Sequence, residues 1–267
     1  MSVPALTLWA MQSLRAVTFG VGGVVFGSFL TVVVYRLPRG ESVVTPRSAC
    51  PQCGNTIRAR DNVPVLSFVL LRGRCRHCGL KISPEYPLTE AFVGLVFLTV
   101  ALRVPDLISA ALLAPFLGVL VAAALIDLRH RIIPNRLVYP SLAVFGTAVA
   151  LASLADGRLT LLRAVLGLVA YGGGLLTIAI VARGGMGMGD VKLAGLIGLM
   201  LGALGWRYLG VAAAVTILSS GVVAVGAVLA GMGRKHALPF GPFLAVGATV
   251  AALWGPQVAG WYGVFTH

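Results

Sequence analysis

Apolar residues run in long blocks over almost the whole chain, broken by short stretches rich in Arg, Lys, Pro and Gly. A helix needs about 20 apolar residues to cross the hydrocarbon of a bilayer. The blocks therefore predict eight transmembrane helices, over residues 14–35, 87–102, 107–126, 137–154, 161–181, 191–204, 208–229 and 238–254. The sixth is short and Gly-rich, which suits a segment packed among other helices or partly re-entrant. Glycines inside the runs, among them Gly22, Gly23, Gly27, Gly172, Gly173 and Gly174, predict close helix packing through small residues. One stretch breaks the pattern: residues 36–86 carry Pro46, Pro51, Pro64 and Pro84 and few long apolar segments. The chain thus divides into a first transmembrane helix (1–35), a polar loop (36–86) and a helical core (87–267).

Composition agrees with this reading and excludes a soluble domain. With 58% hydrophobic and 11% charged residues and a mean hydropathy of +0.94, a chain of 267 residues has more apolar surface than a soluble fold can hide. The fold class is an all-α polytopic membrane protein. Loops 36–86, 127–136, 182–192 and 231–237 carry nine, three, two and two of the 21 Lys and Arg residues. The other five, Arg15, Arg103, Arg158, Arg163 and Arg207, fall in the alternate loops. Positive charge favours the cytoplasmic side, so the four basic loops 36–86, 127–136, 182–192 and 231–237 are expected inside and both termini outside. The net charge of +13 then follows from topology and attraction to an anionic leaflet. No basic stretch interleaved with aromatics points to nucleic acid, so the lipid bilayer is the expected partner. The first ten residues lack a basic region ahead of a span-length apolar run, so the amino terminus reads as a retained anchor.

All four cysteines lie in the polar loop, as Cys50-Pro51-Gln52-Cys53-Gly54 and Cys75-Arg76-His77-Cys78-Gly79. Two C-x-x-C knuckles, each closed by a glycine that permits a tight turn, suit four thiolates on one tetrahedral zinc. Disulfides are the competing reading, and an expected cytoplasmic location argues against them. His77 is not needed as a ligand. A loop this poor in apolar residues would depend on the metal to hold its shape.

Eight residues are acidic. Asp106 and Asp156 in short turns, and Glu41 and Asp61 in the basic loop, read as solvated charges; Glu85 and Glu90 stand near the start of the second helix, and Glu90 is a candidate functional residue. Asp127 and Asp190 differ, because each directly follows an apolar or Gly-rich segment at a helix end. Their strings are Asp127-Leu128-Arg129-His130-Arg131-Ile132-Ile133-Pro134-Asn135 and Gly187-Met188-Gly189-Asp190-Val191-Lys192. Each taken singly is also explained as a helix-end charge beside Arg or Lys. Together they have a chemical use: two close carboxyls cannot both ionise cheaply, so one serves as acid and one as base around a water. Gly187 and Gly189 would let an extended substrate approach, with Lys192 nearby as a supporting residue. A proton relay in a transporter or channel is the alternative, and it requires carboxyls deep in the bilayer. A third possibility is a catalytically silent assembly platform that binds its partner through the cysteine loop. Gly184 to Gly189 lacks the Lys-Ser/Thr of a phosphate loop, and no Gly-x-Ser-x-Gly is present. His130, His236 and His267 read as solvated.

These strings, in order, resemble the type IV prepilin peptidases, membrane aspartyl proteases of the Gly-x-Gly-Asp type. The resemblance runs over nearly the whole chain: Phe26-Gly27-Ser28-Phe29-Leu30-Thr31 through Pro38, both cysteine knuckles, Ile82 through Glu90, the two aspartate strings, and Leu238-Pro239-Phe240-Gly241-Pro242-Phe243-Leu244-Ala245. It implies that Asp127 and Asp190 are the catalytic pair, removing a short basic leader from prepilins or pseudopilins at the cytoplasmic face of a bacterial inner membrane. It further implies methylation of the new amino terminus with S-adenosylmethionine as donor, an activity tied in the family to the first loop. Two positions depart from the family pattern: Thr31 stands where Asn is usual, and Glu85 where a basic residue is usual. Neither touches the aspartates. No recognisable nucleotide motif marks a donor site.

Overall fold

The computed structural model describes residues 5–155, 159–181, 186–231 and 238–262. Asp156, Arg158, Gly184, His236 and His267 lie outside the described residues. The helices are α1 (Ala5–Arg36), α2 (Leu66–Leu70), α3 (Glu85–Arg103), α4 (Leu107–His130), α5 (Asn135–Ala155), α6 (Leu161–Val181), α7 (Met188–Leu204), α8 (Trp206–Leu229) and α9 (Gly241–Tyr262). Among the described residues no strand forms beyond two isolated bridges, and seven helices are long and apolar enough to cross a membrane. The eighth long helix, α7, has only 17 residues. The protein is an all-α, multi-pass membrane protein with a cysteine-bearing loop.

Helix ends differ from the apolar runs in a way that matters for the aspartates. α4 continues beyond Ile126 to His130, and α7 begins at Met188, ahead of Val191. Hydropathy follows the lipid-compatible stretch, whereas a helix continues for as long as its backbone hydrogen bonds do. Asp127 is therefore in the last turn of α4 and Asp190 in the first turn of α7. α9 starts at Gly241 rather than Leu238, with Pro242 in the first turn, where its missing N–H costs nothing.

The chain forms two compact units, Met1–Ala110 and Ala111–His267. In the first, α1 packs along α3. A Cβ on Gly23 would stand 2.9 Å from Cα of Gly94, and one on Gly27 would stand 2.8 Å from Cα of Glu90. Phe26 meets Phe97 with ring centres 5.6 Å apart. The opposite edge of α1 exposes Leu14, Val17, Val21 and Val25, as a lipid-facing edge would. Asp106, expected as a solvated charge, caps α4: its Oδ2 accepts the N–H of Ser109 at 2.8 Å.

In the second unit α7 is the central helix. Every residue from Leu193 to Ala203 is buried, so a helix apolar on all sides has found neighbours on all sides, among them α5, α6, α8 and α9. α6 comes closest, because Gly167 faces Gly198 and Gly202, and Gly172 faces Gly195. A Cβ on Gly167 or Gly198 would collide with the other's backbone. Gly22, Gly173 and Gly174 have nothing within 4 Å, so those three are not packing glycines. Gly167→Val is expected to cost at least the ~1–3 kcal/mol of ordinary overpacking and to lower the thermal midpoint of the detergent-solubilised protein, while Gly173→Val leaves it nearly unchanged. Equal midpoints for the two variants would contradict this account of the α6–α7 contact.

Candidate functional site

Asp127 is 5% exposed, and its side chain makes one hydrogen bond among the described residues: Oδ2 accepts the backbone N–H of Gly241, the first residue of α9, at 2.8 Å. The fit is tight, since a Cβ on Gly241 would stand 2.8 Å from that same oxygen. α9 is itself anchored. The Thr216 hydroxyl on α8 lies 3.3 Å from the carbonyl of Phe243, and the Tyr171 hydroxyl on α6 lies 3.3 Å from Thr216.

After Asp127 the chain turns sharply. Arg131 has φ 54°, a left-handed conformation more usual for glycine at a helix end, and its N–H closes on the carbonyl of Asp127 at 2.8 Å. The turn returns toward α7. Ile133 is buried, and a Cβ on Gly189 would stand 2.9 Å from Cβ of Ile133. Lys192 donates to Oδ1 of Asn135 at 2.9 Å, with its ammonium 5.2 Å from the ring centre of Tyr139. Together these contacts hold the first turn of α7 against the segment that follows Asp127.

Asp190 is partly buried in that turn, and its N–H bonds to the carbonyl of Gly187 at 3.1 Å. A Cβ on Gly187 would come within 3.3 Å of Oδ2 of Asp190, so glycine leaves that oxygen uncrowded. Asp190 therefore stands on the turn of α7 that packs against the segment following Asp127. The structure thus gathers Asp127, Asp190, Gly187, Gly189 and Lys192 in one unit. It adds Gly241, a residue within a string that was legible but had no assigned role. His130 is exposed and takes no part.

Glu90 is elsewhere, in the first unit. It is 8% exposed, and its Oε2 accepts the N–H of Val65 at 2.7 Å.

The cysteine loop has two knuckles of matching geometry. Gly54 and Gly79 sit at φ 71° and 70°, and their N–H groups bond to the carbonyls of Cys50 and Cys75, each at 2.9 Å. The positive φ is why each knuckle closes on a glycine. Cys50, Cys53, Cys75 and Cys78 are unbridged, and their sulfurs all lie within 4.8 Å of one another, Cys50 to Cys78 at 4.0 Å. Four sulfurs at zinc's ~2.3 Å bond length would stand about 3.8 Å apart, so the donor set fits that ion with little adjustment. Cys75 is drawn down to about 7 by the backbone N–H groups of Cys78 and His77. The Leu80 N–H also pulls on Cys78, but partial burial and the neighbouring thiols outweigh it and push Cys78 up to about 11. A crowded thiol set that yields its first proton easily and its last reluctantly is what a divalent cation stabilises. His77 is exposed and outside the cluster.

Asp61, expected as a solvated charge, is instead clamped: Arg76 donates through Nε and Nη2, the shorter contact being 2.7 Å. The pairing ties residues 59–61 to the second knuckle and holds the Asp61 carboxyl below the usual range.

Comparisons with known proteins follow the same division. Residues 21–104 match the bacterial peptidase A24 N-terminal domain, and residues 114–231 match the type IV leader peptidase family. The chain is 31% identical to the prepilin leader peptidase/N-methyltransferase of Bacillus subtilis (strain 168), over 90% of this chain and 94% of that one. Its counterpart from Pseudomonas putida is 34% identical, over 95% of this chain and 96% of the relative. The type 4 prepilin-like proteins leader peptide-processing enzyme of Escherichia coli O78:H11 is 35% identical, over 85% and 89%. No solved structure matches. With both halves matched in order and relatives aligned along nearly their full lengths, the chain belongs to the type IV leader peptidase family.

Proposed function

We propose that this protein is an aspartyl endopeptidase that removes the short basic leader of a type IV prepilin or pseudopilin, with Asp127 and Asp190 as the catalytic pair. The observation that carries the reading is the buried Asp127, held by the Gly241 N–H, with the turn of the central helix that bears Asp190 packed against the segment that follows it. Two carboxyls brought together on one scissile bond would share one proton and titrate as a unit. The ionised member takes a proton from water, whose oxygen attacks the scissile carbonyl carbon while the protonated member donates to the carbonyl oxygen. Collapse of the tetrahedral species breaks the C–N bond, and the departing nitrogen receives a proton, so one water is consumed per peptide bond. Lys192, bonded to Asn135, positions the turn carrying Asp190.

In this reading residues 36–86 form a cytoplasmic loop stapled by zinc on Cys50, Cys53, Cys75 and Cys78, and residues 87–267 hold the transmembrane protease. The same protein methylates the new amino terminus, with S-adenosylmethionine supplying the methyl group. It resides in the bacterial inner membrane with both termini outside and both aspartates at the cytoplasmic face. The proton-relay alternative finds no support, since both carboxyls are at helix ends in a peptidase family.

Orientation is tested by reporter fusions. A reporter after Lys81, Arg131 or Lys235 is expected to behave as cytoplasmic, and one after Asp106, Asp156 or His267 as external. An external signal at Lys81 or Arg131 would put the proposed site on the wrong side for a basic leader. The reaction is tested by coexpression with a type IV prepilin, which should lose its leader only when this protein is present.

A further inference from the structure

Among the described residues, most of the large apolar side chains left exposed belong to the membrane-spanning helices, but a group of them stands in the cysteine loop. The short helix α2 exposes Leu66, Val69 and Leu70 at 53%, 63% and 72%, a spacing that puts all three on one face. Phe68 and the following Leu71 turn the other way, into the cavity shared with α1 and the start of α3. A five-residue helix has no stability alone, and a contiguous apolar face left in water would work against it further. Neither the proteolytic reading nor the zinc site uses this face.

The fold sets the depth of that face. Val65, just before α2, donates its N–H to Oε2 of Glu90 at 2.7 Å, and Glu90 is in the second turn of α3. With 19 residues α3 is about 28 Å long against a hydrocarbon thickness of ~30 Å, so it crosses a bilayer only with its ends at the two boundaries. Its second turn is then within the membrane's interfacial zone. On α1 the same level is marked by Gly27, which packs on Cα of Glu90, and the helix runs about 13 Å further to Arg36. The loop therefore leaves the end of α1 and folds back to set α2 beside the spanning helices. Its surroundings hold it there: Val65, β-branched at φ 59°, is strained, and Oγ of Ser67 accepts the Val63 N–H at 3.0 Å while donating to the Arg60 carbonyl at 3.1 Å. Charge agrees with depth. No acidic residue occurs from 62 to 84, whereas Arg72, Arg74 and Lys81 are exposed in the turns that follow α2, with Arg74 bridged to Lys81. Apolar side chains flanked by Lys and Arg fit a surface of anionic headgroups over acyl chains.

We propose that the outward face of α2, formed by Leu66, Val69 and Leu70 with Arg72, Arg74 and Lys81 beside it, is an interfacial anchor that seats the cysteine loop in the anionic surface of the bilayer. Lipid is favoured over a protein partner because the spanning helices on either side of the loop, Trp9–Arg39 and Glu85–Arg103, keep this face at the lipid boundary. The anchor also fixes the second knuckle. The Gly73 N–H bonds to the carbonyl of Phe68 on α2, and the Gly73 carbonyl accepts the N–H of Ile82 just past the knuckle, each at 2.8 Å. Cys75 and Cys78 are thus mounted on a membrane-seated helix, and the aspartates play no part in this contact.

The test uses full-length, zinc-loaded protein in lipid nanodiscs. A fluorescent amino acid replaces Val69, Leu70 or, as a lipid-facing reference, Phe92, which is exposed on α3 within a span. A phospholipid carrying a nitroxide high on its acyl chain should quench the labels at Val69 and Leu70 about as strongly as the label at Phe92. Two labelled positions guard against one of them disturbing α2, and zinc content reports whether the loop is folded. In the unlabelled protein, hydrogen exchange over residues 66–71 should be about ten-fold slower in nanodiscs of phosphatidylcholine with phosphatidylglycerol than in phosphatidylcholine alone. Arg72→Gln combined with Lys81→Gln should remove most of that difference without loss of zinc. Labels at Val69 and Leu70 untouched by the nitroxide lipid, whether open to aqueous iodide or covered by protein, would overturn the proposal. Exchange equally fast in the two lipid mixtures, or a difference unchanged in the zinc-replete double variant, would overturn it as well.

Discussion

Replacing Asp127 or Asp190 by Asn is expected to slow leader cleavage by about 10²- to 10⁴-fold, the range associated with a lost general acid or base. The protein should still accumulate in the membrane at its normal level. Asn matches Asp in shape, and its amide oxygen can still accept the Gly241 N–H that Oδ2 of Asp127 accepts at 2.8 Å. A large loss of rate with little loss of protein is the signature of chemistry. Pulse-labelled prepilin, followed from precursor to mature form, gives the rate, and immunoblotting gives the level. Near wild-type processing by either variant would mean that its carboxyl does not take part.

Stripping the metal is expected to act on a different part of the molecule. The purified protein should hold about one zinc per chain, as expected of a four-cysteine site. Structural zinc in small modules contributes roughly 10–16 kcal/mol of apparent binding energy, more than a loop with so little apolar core can replace. Only Cys50 and Ser67 are buried between residues 40 and 85, so chelation, or Cys50→Ser with Cys53→Ser, should expose that segment to protease. The eight long helices hold their own backbone hydrogen bonds and should remain intact. Cleavage should weaken, and methyl transfer should fail more completely. Full zinc content in the double variant, or an unchanged protease pattern after chelation, would show that the knuckles are not a structural zinc site.

How much of this was legible in the sequence depended on whether the chemistry was local. The four cysteines announce themselves because the knuckle needs its glycine and both sulfurs within five residues, and the structure forms those turns at Gly54 and Gly79. Asp127 and Asp190 stand out because a carboxyl beside an apolar run is unusual. Gly241 could not be found this way. Its contribution is a backbone N–H, which every residue but proline has, delivered to a carboxyl 114 positions away. Glycine likewise marks a possible close approach without giving its direction: Gly23 and Gly27 meet α3, whereas Gly22 beside them meets nothing. Nor could charge pattern alone separate Asp61, clamped by Arg76, from a solvated acid in a basic loop. Helix ends were misread at both aspartates for one reason, that the apolar run stops before the helix does.

The central claim is that Asp127 and Asp190 act as one unit in cutting a leader. The most direct measurement is the rate at which intact-mass analysis sees a purified prepilin lose its leader with the unaltered protein, each Asp→Asn variant, and the double variant. Residues that work as one catalytic unit are strongly non-additive. The account predicts that each single variant falls nearly to the rate of the double. Single losses that multiply to give the double, or a single variant cutting near the unaltered rate, would contradict it.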